Sequence, residues 1–137
     1  MLAAPAVVLP SPLGSAQERR LKAVFLATSS DIRSGGVVFA SPDWGGSITR
    51  ALFPSYRPIL DDRAVVVGEK LFRAYFASLR DPEAFEELMN IFQGTHALVR
   101  PGLPLALYLG NSPTWRRVYV ADDLHLFVRV ENATLSD

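Results

Sequence analysis

The sequence predicts an α+β fold in which two central helices pack on one face of an antiparallel sheet. Two helical apolar patterns occupy the middle of the chain, and short strand-like runs separated by turn residues flank them on both sides. The chain has 137 residues, which is the size of one ordinary domain. We therefore expect a single α+β domain over residues 18–137, preceded by an extended arm over residues 1–17.

The arm is predicted from small apolar residues interrupted by Pro5, Pro10 and Pro12, a pattern that favours extended polyproline-like backbone. A solvated tail is normally polar, so we expect the apolar Val7, Val8 and Leu9 to pack on this domain or on a neighbouring subunit. The segment lacks the basic start of a secretory signal, which argues against a signal peptide.

An N-terminal hairpin is expected next. Residues 21–28 have the composition of a mostly buried strand, residues 29–36 are rich in turn formers, and residues 37–40 resume as a second strand. Residues 41–46 are expected to form a loop, after which Ser47 would cap a short helix over residues 48–53. Residues 63–67 fit either a third strand or the first turn of the next helix.

The two central helices carry the clearest patterns in the chain. In the first, over residues 69–80, apolar residues follow one another at spacings of one and four residues, which places them on one face of a helix. Asp81 and Pro82 then provide an N-cap and a proline at the first helical position of the second helix, and Gly94 is a natural end for it.

A three-stranded antiparallel meander is expected at the C-terminus. Residues 105–109 alternate leucine with other residues, and two further runs follow at 115–121 and 124–131, with turn residues between them. If Leu126 and Val128 face the core, the alternate residues face outward. The predicted outward set is aromatic and basic: Tyr108, Trp115, Arg117, Tyr119, Phe127 and Arg129.

Such a surface suits either a protein interface or the stacking of nucleic-acid bases. The alternative is that helices or a second sheet cover this face, which would make the aromatic residues part of the core.

Composition excludes several classes of protein. Hydrophobic residues make up 49% of the chain, which excludes a mostly disordered protein. Fourteen basic and fourteen acidic residues give a formal net charge of zero, which disfavours binding to nucleic acid through the overall charge of the protein. There is no cysteine for disulfides, thiolate metal sites or a thiol nucleophile. No apolar run is long enough for a membrane span, so we expect a soluble intracellular protein, cytoplasmic or, if viral, in the host cell.

The sequence contains few candidate catalytic residues. His96 and His125 are the only histidines, and no nucleophile-elbow sequence is present. The glycine-containing segment 41–47 could present backbone amides to a phosphate, although it is neither a P-loop nor a dinucleotide fingerprint. Pro42-Asp43 with Glu69-Lys70 partly matches metal-dependent nucleases, but the acid and lysine are adjacent instead of separated by one residue. We assign no catalytic, cofactor or metal residues.

These observations favour a non-enzymatic interaction or assembly module that self-associates. Twelve of the fourteen basic residues are arginine, a bias typical of GC-rich genomes, so we expect a structural or adaptor subunit of a microbial or viral complex. Its interface would combine the arm with the aromatic and arginine face, because Trp, Tyr and Arg often dominate binding energy. The alternatives are a nucleic-acid-binding adaptor that uses the same face and a small metal-dependent hydrolase or nuclease.

Overall fold

The computed structural model describes residues 12–28, 35–60 and 68–130, with side chains from Ala16 onward. In chain order, the described elements are α1 (Pro12–Ala27), β1 (Gly36–Phe39), α2 (Pro42–Leu52), β2 (Tyr56–Pro58), α3 (Glu69–Ser78), α4 (Pro82–Phe92), β3 (His96–Val99), α5 (Pro104–Asn111), β4 (Trp115–Val120) and β5 (His125–Arg129).

The five strands form one mixed sheet in the order β2-β1-β3-β5-β4. β1 runs parallel to both β2 and β3, with Val38 opposite His96. β5 runs antiparallel to β3 and to β4, with Ala97 opposite Phe127. The α+β class is therefore confirmed, but the prediction of an antiparallel sheet is wrong for its parallel half.

Helices cover both faces of the sheet. α1 and α2 pack on one face, around Val38, Leu98 and Leu126. α3, α4 and α5 pack on the other, around Phe39 and Phe127. The prediction that helices lie on one face is wrong, because consecutive strand residues such as Val38 and Phe39 are both buried and each face therefore needs a cover.

Residues 21–27 of the predicted first strand, 21–28, belong to helix α1, and Thr28 directly follows it. Leu21, Val24, Phe25 and Thr28 are all buried, and their spacing of three and four residues is that of one helical face. The N-terminal hairpin is therefore wrong, and β1 pairs with β2 and β3 instead.

The start of α1 also corrects part of the predicted arm. Residues 12–17 belong to the helix, so the extended backbone expected there is wrong. Residues 1–11, including Val7, Val8 and Leu9, lie outside the described residues, as do residues 63–67.

The central helices are confirmed. α3 and α4 span Glu69–Ser78 and Pro82–Phe92, and the Asp81 carboxylate accepts a hydrogen bond from the Glu83 amide at 3.0 Å as the expected N-cap. The short helix is also present, but it begins at Pro42 with Ser41 as its cap. Ser47 lies buried inside it, where its hydroxyl donates to the Gln17 side chain of α1.

Only the last two strands of the predicted meander exist. β4 and β5 form the expected hairpin, and the Ala121 amide donates to the Leu124 carbonyl across the turn. Residues 105–109 are helical, with Leu105 and Leu109 buried and Leu107 70% exposed. The position beside β5 is filled by β3, a strand that the sequence analysis did not identify.

Candidate ligand-binding cleft

A cleft of about 640 Å³ opens at the edge of the sheet where the parallel strands β1 and β3 end. After β1 the chain crosses through α2 to β2 on one side, and after β3 it passes through α5 towards β4 on the other. The two helices pack on opposite faces of the sheet. This is a topological switch point, the place where open α/β sheets commonly bind ligands.

The cleft has an apolar floor and a polar rim. Leu98, Val99 and Leu124 form buried parts of its lining, and the half-buried Trp44 adds an aromatic side chain. The polar lining residues come from the start of α2, from α3, from the segment that follows β3 and from the β4–β5 turn: Ser41, Asp43, Tyr75, Arg100, Asp122 and Asp123.

Ser41 organises the wall formed by α2. Its side chain accepts a hydrogen bond from the Asp43 amide at 3.3 Å, and its carbonyl accepts one from the Trp44 amide at 2.9 Å. Two first-turn amides are therefore already satisfied, and the Asp43 carboxylate lies on the same turn. Gly45 is buried within the helix. These features oppose the phosphate site suggested by segment 41–47.

Tyr75 reaches this wall from α3. It lines the cleft together with Ser41, and only 6% of the residue is exposed. Burial raises the pKa of the Tyr75 phenol, and the negative charge of Asp43 adds to that effect, whereas the Ser41 side chain and the charge of Arg100 act in the opposite direction. The phenol therefore stays protonated at neutral pH and offers the cleft a fixed neutral polar group.

The β4–β5 turn is tied to α1 by a two-pronged ion pair. Arg20 Nη1 and Nη2 donate to the two carboxylate oxygens of Asp123 at 2.9 and 2.7 Å. The guanidinium holds the pKa of Asp123 at about 2, well below its ordinary range. Asp43, Arg100 and Asp122 form no ion pair with another described residue.

The proposed pairing of Asp43 with Glu69 does not form within the cleft. Asp43 lines it, whereas Glu69 lies on the exposed side of α3 and accepts a hydrogen bond from Arg73 at 2.9 Å. Across the described ranges, no group of three His, Asp or Glu side chains is placed to hold a metal ion.

Four of the six residues predicted to form the aromatic and arginine face share one face of the β4–β5 hairpin, but helices pack over that face. Trp115 lies opposite Arg129 and Arg117 opposite Phe127, so these four residues share one face of the hairpin. Phe127 is fully buried and Trp115 is 4% exposed. Tyr108 joins them from α5, which packs over this face, so the aromatic residues form core, as the alternative interpretation expected. Neither buried ring is available for stacking bases.

A single carboxylate holds much of this face together. Glu86 of α4 accepts hydrogen bonds from Tyr108 Oη at 2.7 Å, Trp115 Nε1 at 3.1 Å and Arg129 Nη2 at 3.3 Å. The Arg129 guanidinium also lies 4.8 Å from the centre of the Trp115 ring. Burial raises the pKa of Tyr108, and the hydrogen bond and charge of Glu86 add to this. These contacts lie within one chain and join α4, α5 and the hairpin.

Tyr119 does not belong to this face. The register of β4 against β5 shifts between Arg117 and Tyr119, which places Tyr119 opposite Leu126. An extra residue in one strand reverses the side-chain alternation beyond it. Tyr119 therefore packs, half-buried, on the α1 side of the sheet, and the prediction that it shares a face with Arg117 is wrong.

Most of the cleft is not predicted from the sequence. Tyr75 lies in the segment predicted only as a helix with one apolar face, Asp122 lies between two predicted strands among residues expected only to form a turn, and Arg100 has no predicted role. The available signal was a repeated pattern: each of two short buried strands is followed by a polar residue and a proline, Ser41-Pro42 after β1 and Arg100-Pro101 after β3.

In the part of the chain that the structure describes, no helix is long and apolar enough to cross a membrane. No protein-family model, curated protein or solved structure matches the chain.

Proposed function

We propose that this domain binds a small organic molecule in the cleft between the ends of β1 and β3. The observation that carries the proposal is the convergence, at a topological switch point, of polar side chains from four segments on one apolar floor. Small-molecule sites are commonly concave, mostly apolar and supplied with a few placed polar groups.

Several parts of the cleft are ordered before any ligand arrives. The Ser41 side chain caps α2, Tyr75 is buried beside it, and the ion pair between Arg20 and Asp123 ties the β4–β5 turn to α1. A site that is already ordered loses less conformational entropy on binding. This preorganisation supports a binding role for the cleft.

The test is a fragment screen followed by amide chemical-shift mapping on the full chain. We expect hits to shift the backbone amides of lining residues: Ser41, Asp43, Trp44, Arg100, Leu103, Asp122, Asp123 and Leu124. Leu103→Trp should abolish binding, because Leu103 is a half-buried lining residue and a larger side chain fills the space. Leu107→Trp, on the exposed side of the helix α5 that Leu103 precedes, is the matched control. Hits that map elsewhere, or that bind Leu103→Trp unchanged, would contradict the proposal.

Self-association, the function predicted from the sequence, is a second candidate. It is favoured by apolar side chains on α4 and α5, since Ile91 is 67% exposed and Leu107 is 70% exposed. Because Trp115 and Phe127 are buried, contacts to a second copy or another protein would use exposed residues such as these two, together with Arg117 and the segment with Val7, Val8 and Leu9.

Light scattering tests this candidate. The full chain should form an oligomer, and deletion of residues 1–11 or the change Ile91→Glu should reduce its mass. The deletion ends before Pro12, so that α1 keeps its full length. A monomer at all concentrations, or an oligomer that neither change affects, would refute this assembly role.

A further inference from the structure

We infer that the ligand of the cleft is a small organic cation with an apolar body, such as an arylalkyl amine. This rests on the proposed function and adds the chemical class of the ligand. Among the described residues that line the cleft, four carry charge, and three of these are acidic: Asp43, Asp122 and Asp123, against Arg100. Arg20, which pairs with Asp123, lies outside the lining.

The ion pair decides which charges remain for a ligand. Asp123 is engaged by Arg20, which leaves Asp43 and Asp122 as exposed carboxylates that form no ion pair with another described residue. Arg100 supplies one positive charge, and that charge interacts favourably with Asp123 as well. The charged groups that can interact with a ligand therefore have a net negative charge, which complements a cation.

The wall formed by α2 disfavours the opposite charge. The amides of Asp43 and Trp44, which could otherwise receive an anion, donate to Ser41. The Asp43 carboxylate occupies the same helical turn. A phosphate or carboxylate group placed here would meet a like charge and find these two amides already in use.

The apolar residues that line the cleft favour a ligand with an apolar body. Leu98 and Leu124 form a buried floor, and the half-buried Trp44 indole contributes an aromatic side chain to the same cleft. Aromatic faces attract cations as well as apolar groups, and indole is the most effective of the natural rings. An ammonium group on a short aromatic or aliphatic body satisfies both parts of the lining.

The experiment compares three probes of similar size and different charge: 2-phenylethylamine, 2-phenylethanol and 3-phenylpropionate. Each is titrated into the full chain while NMR follows the backbone amides of the lining residues Ser41, Asp43, Trp44, Arg100, Leu103, Asp122, Asp123 and Leu124. We expect the amine to bind about tenfold more tightly than the alcohol, equivalent to about 1.4 kcal/mol. The propionate should bind most weakly, and the preference for the amine should fall as salt is added.

The double variant Asp43→Asn, Asp122→Asn should lower amine affinity to that of the alcohol and leave alcohol binding unchanged, which also shows that the cleft is intact. Glu83→Gln, an exposed charge on α4 outside the cleft, is the matched control and should change neither affinity. Equal binding of amine and alcohol, or an amine affinity that survives the double variant, would overturn the cation inference and leave the proposed function standing. If no probe shifts a cleft amide at millimolar concentration, the cation inference fails, and the proposed function also fails if the fragment screen gives no hit in the cleft.

Discussion

Replacement of Glu86 by alanine tests whether the aromatic and arginine face is internal structure. The Glu86 carboxylate accepts hydrogen bonds from Tyr108, Trp115 and Arg129, which lie on α5, β4 and β5. Its removal cuts three links between α4 and the rest of this layer. We therefore expect a loss of stability in Glu86→Ala with no change in the oligomeric state.

The magnitude follows from the surroundings of each donor. Trp115 is 4% exposed, so its indole N–H loses its acceptor in a buried position, which costs about 1–3 kcal/mol. The half-buried Tyr108 hydroxyl can reach water and loses about 1 kcal/mol. The Arg129 side chain is 31% exposed, and its ion pair adds only about 0–1 kcal/mol. Together these losses lower the free energy of unfolding by about 3 kcal/mol, or the Tm by roughly 10 °C for a chain of this size.

Urea denaturation and calorimetry measure the effect, and Glu87→Ala is the matched control. Glu87 is the next residue of the same helix, it is exposed, and its replacement should change stability by less than about 0.5 kcal/mol. Both variants gain the same helix propensity. The reasoning is refuted if Glu86→Ala is as stable as Glu87→Ala. An unchanged stability combined with a lower mass in light scattering would instead restore the interface interpretation of Tyr108 and Arg129.

Three further predictions address the sheet, the cleft wall and the ion pair. Gly36→Ala should lower stability by about 1–3 kcal/mol in thermal melts, because Gly36 has a φ of 149° and an added Cβ would lie 1.9 Å from Thr95 Oγ1; an unchanged Tm contradicts this. Ser41→Ala should cost about 1 kcal/mol in urea denaturation, since it removes the N-cap of α2, and a cost near zero would show that the cap contributes nothing. An NMR titration should give Asp123 a pKa of about 2, and Arg20→Gln should return it towards 3.8. Since Arg20 lowers this pKa, the stabilisation is present above pH 3.8 and is lost as the pH falls through 2; equal midpoints in both proteins would contradict it.

The elements that the sequence predicts well are those fixed by local interactions. α3 and α4 have one apolar face each, and Asp81 and Pro82 define the boundary between them within a few residues. The β4–β5 hairpin needs only a turn at Asp122 and Asp123 and two strands beside it. In these cases the pattern and its cause lie in the same short segment.

The two elements assigned to the wrong class have ambiguous patterns. Residues 21–28 contain a helical face at Leu21, Val24, Phe25 and Thr28, but a short and largely apolar run fits a strand equally well. Residues 105–109 place leucine at every second position, yet the structure exposes Leu107 and buries its neighbour Ala106. An exposed leucine breaks the relation between hydrophobicity and burial, so the tertiary packing decides between helix and strand.

The cleft depends on neighbours that are distant in sequence. β1 and β3 are separated by α2, β2, α3 and α4, and their parallel pairing brings Ser41 and Asp43 to the same edge of the sheet as Arg100. The β4–β5 turn adds Asp122 because β5 is antiparallel to β3 and therefore begins where β3 ends. No spacing motif records this arrangement, since the strand order creates it.

The formal net charge of zero argues against binding of a large charged partner on the surface, but it does not argue against binding of a small ion in a cleft. The chain has fourteen basic and fourteen acidic residues, which argues against binding of a long polyanion. Such binding requires many positive charges on one face of the protein. A site for one small ion requires an imbalance of a single charge, and total charge cannot detect that. The ion pair between Arg20 and Asp123 removes one acid of the cleft from the balance, yet Asp43 and Asp122 still exceed Arg100. A chain that is neutral overall thus contains a locally acidic cleft. The charged groups that form no ion pair there are the basis for inferring that the proposed ligand is a cation.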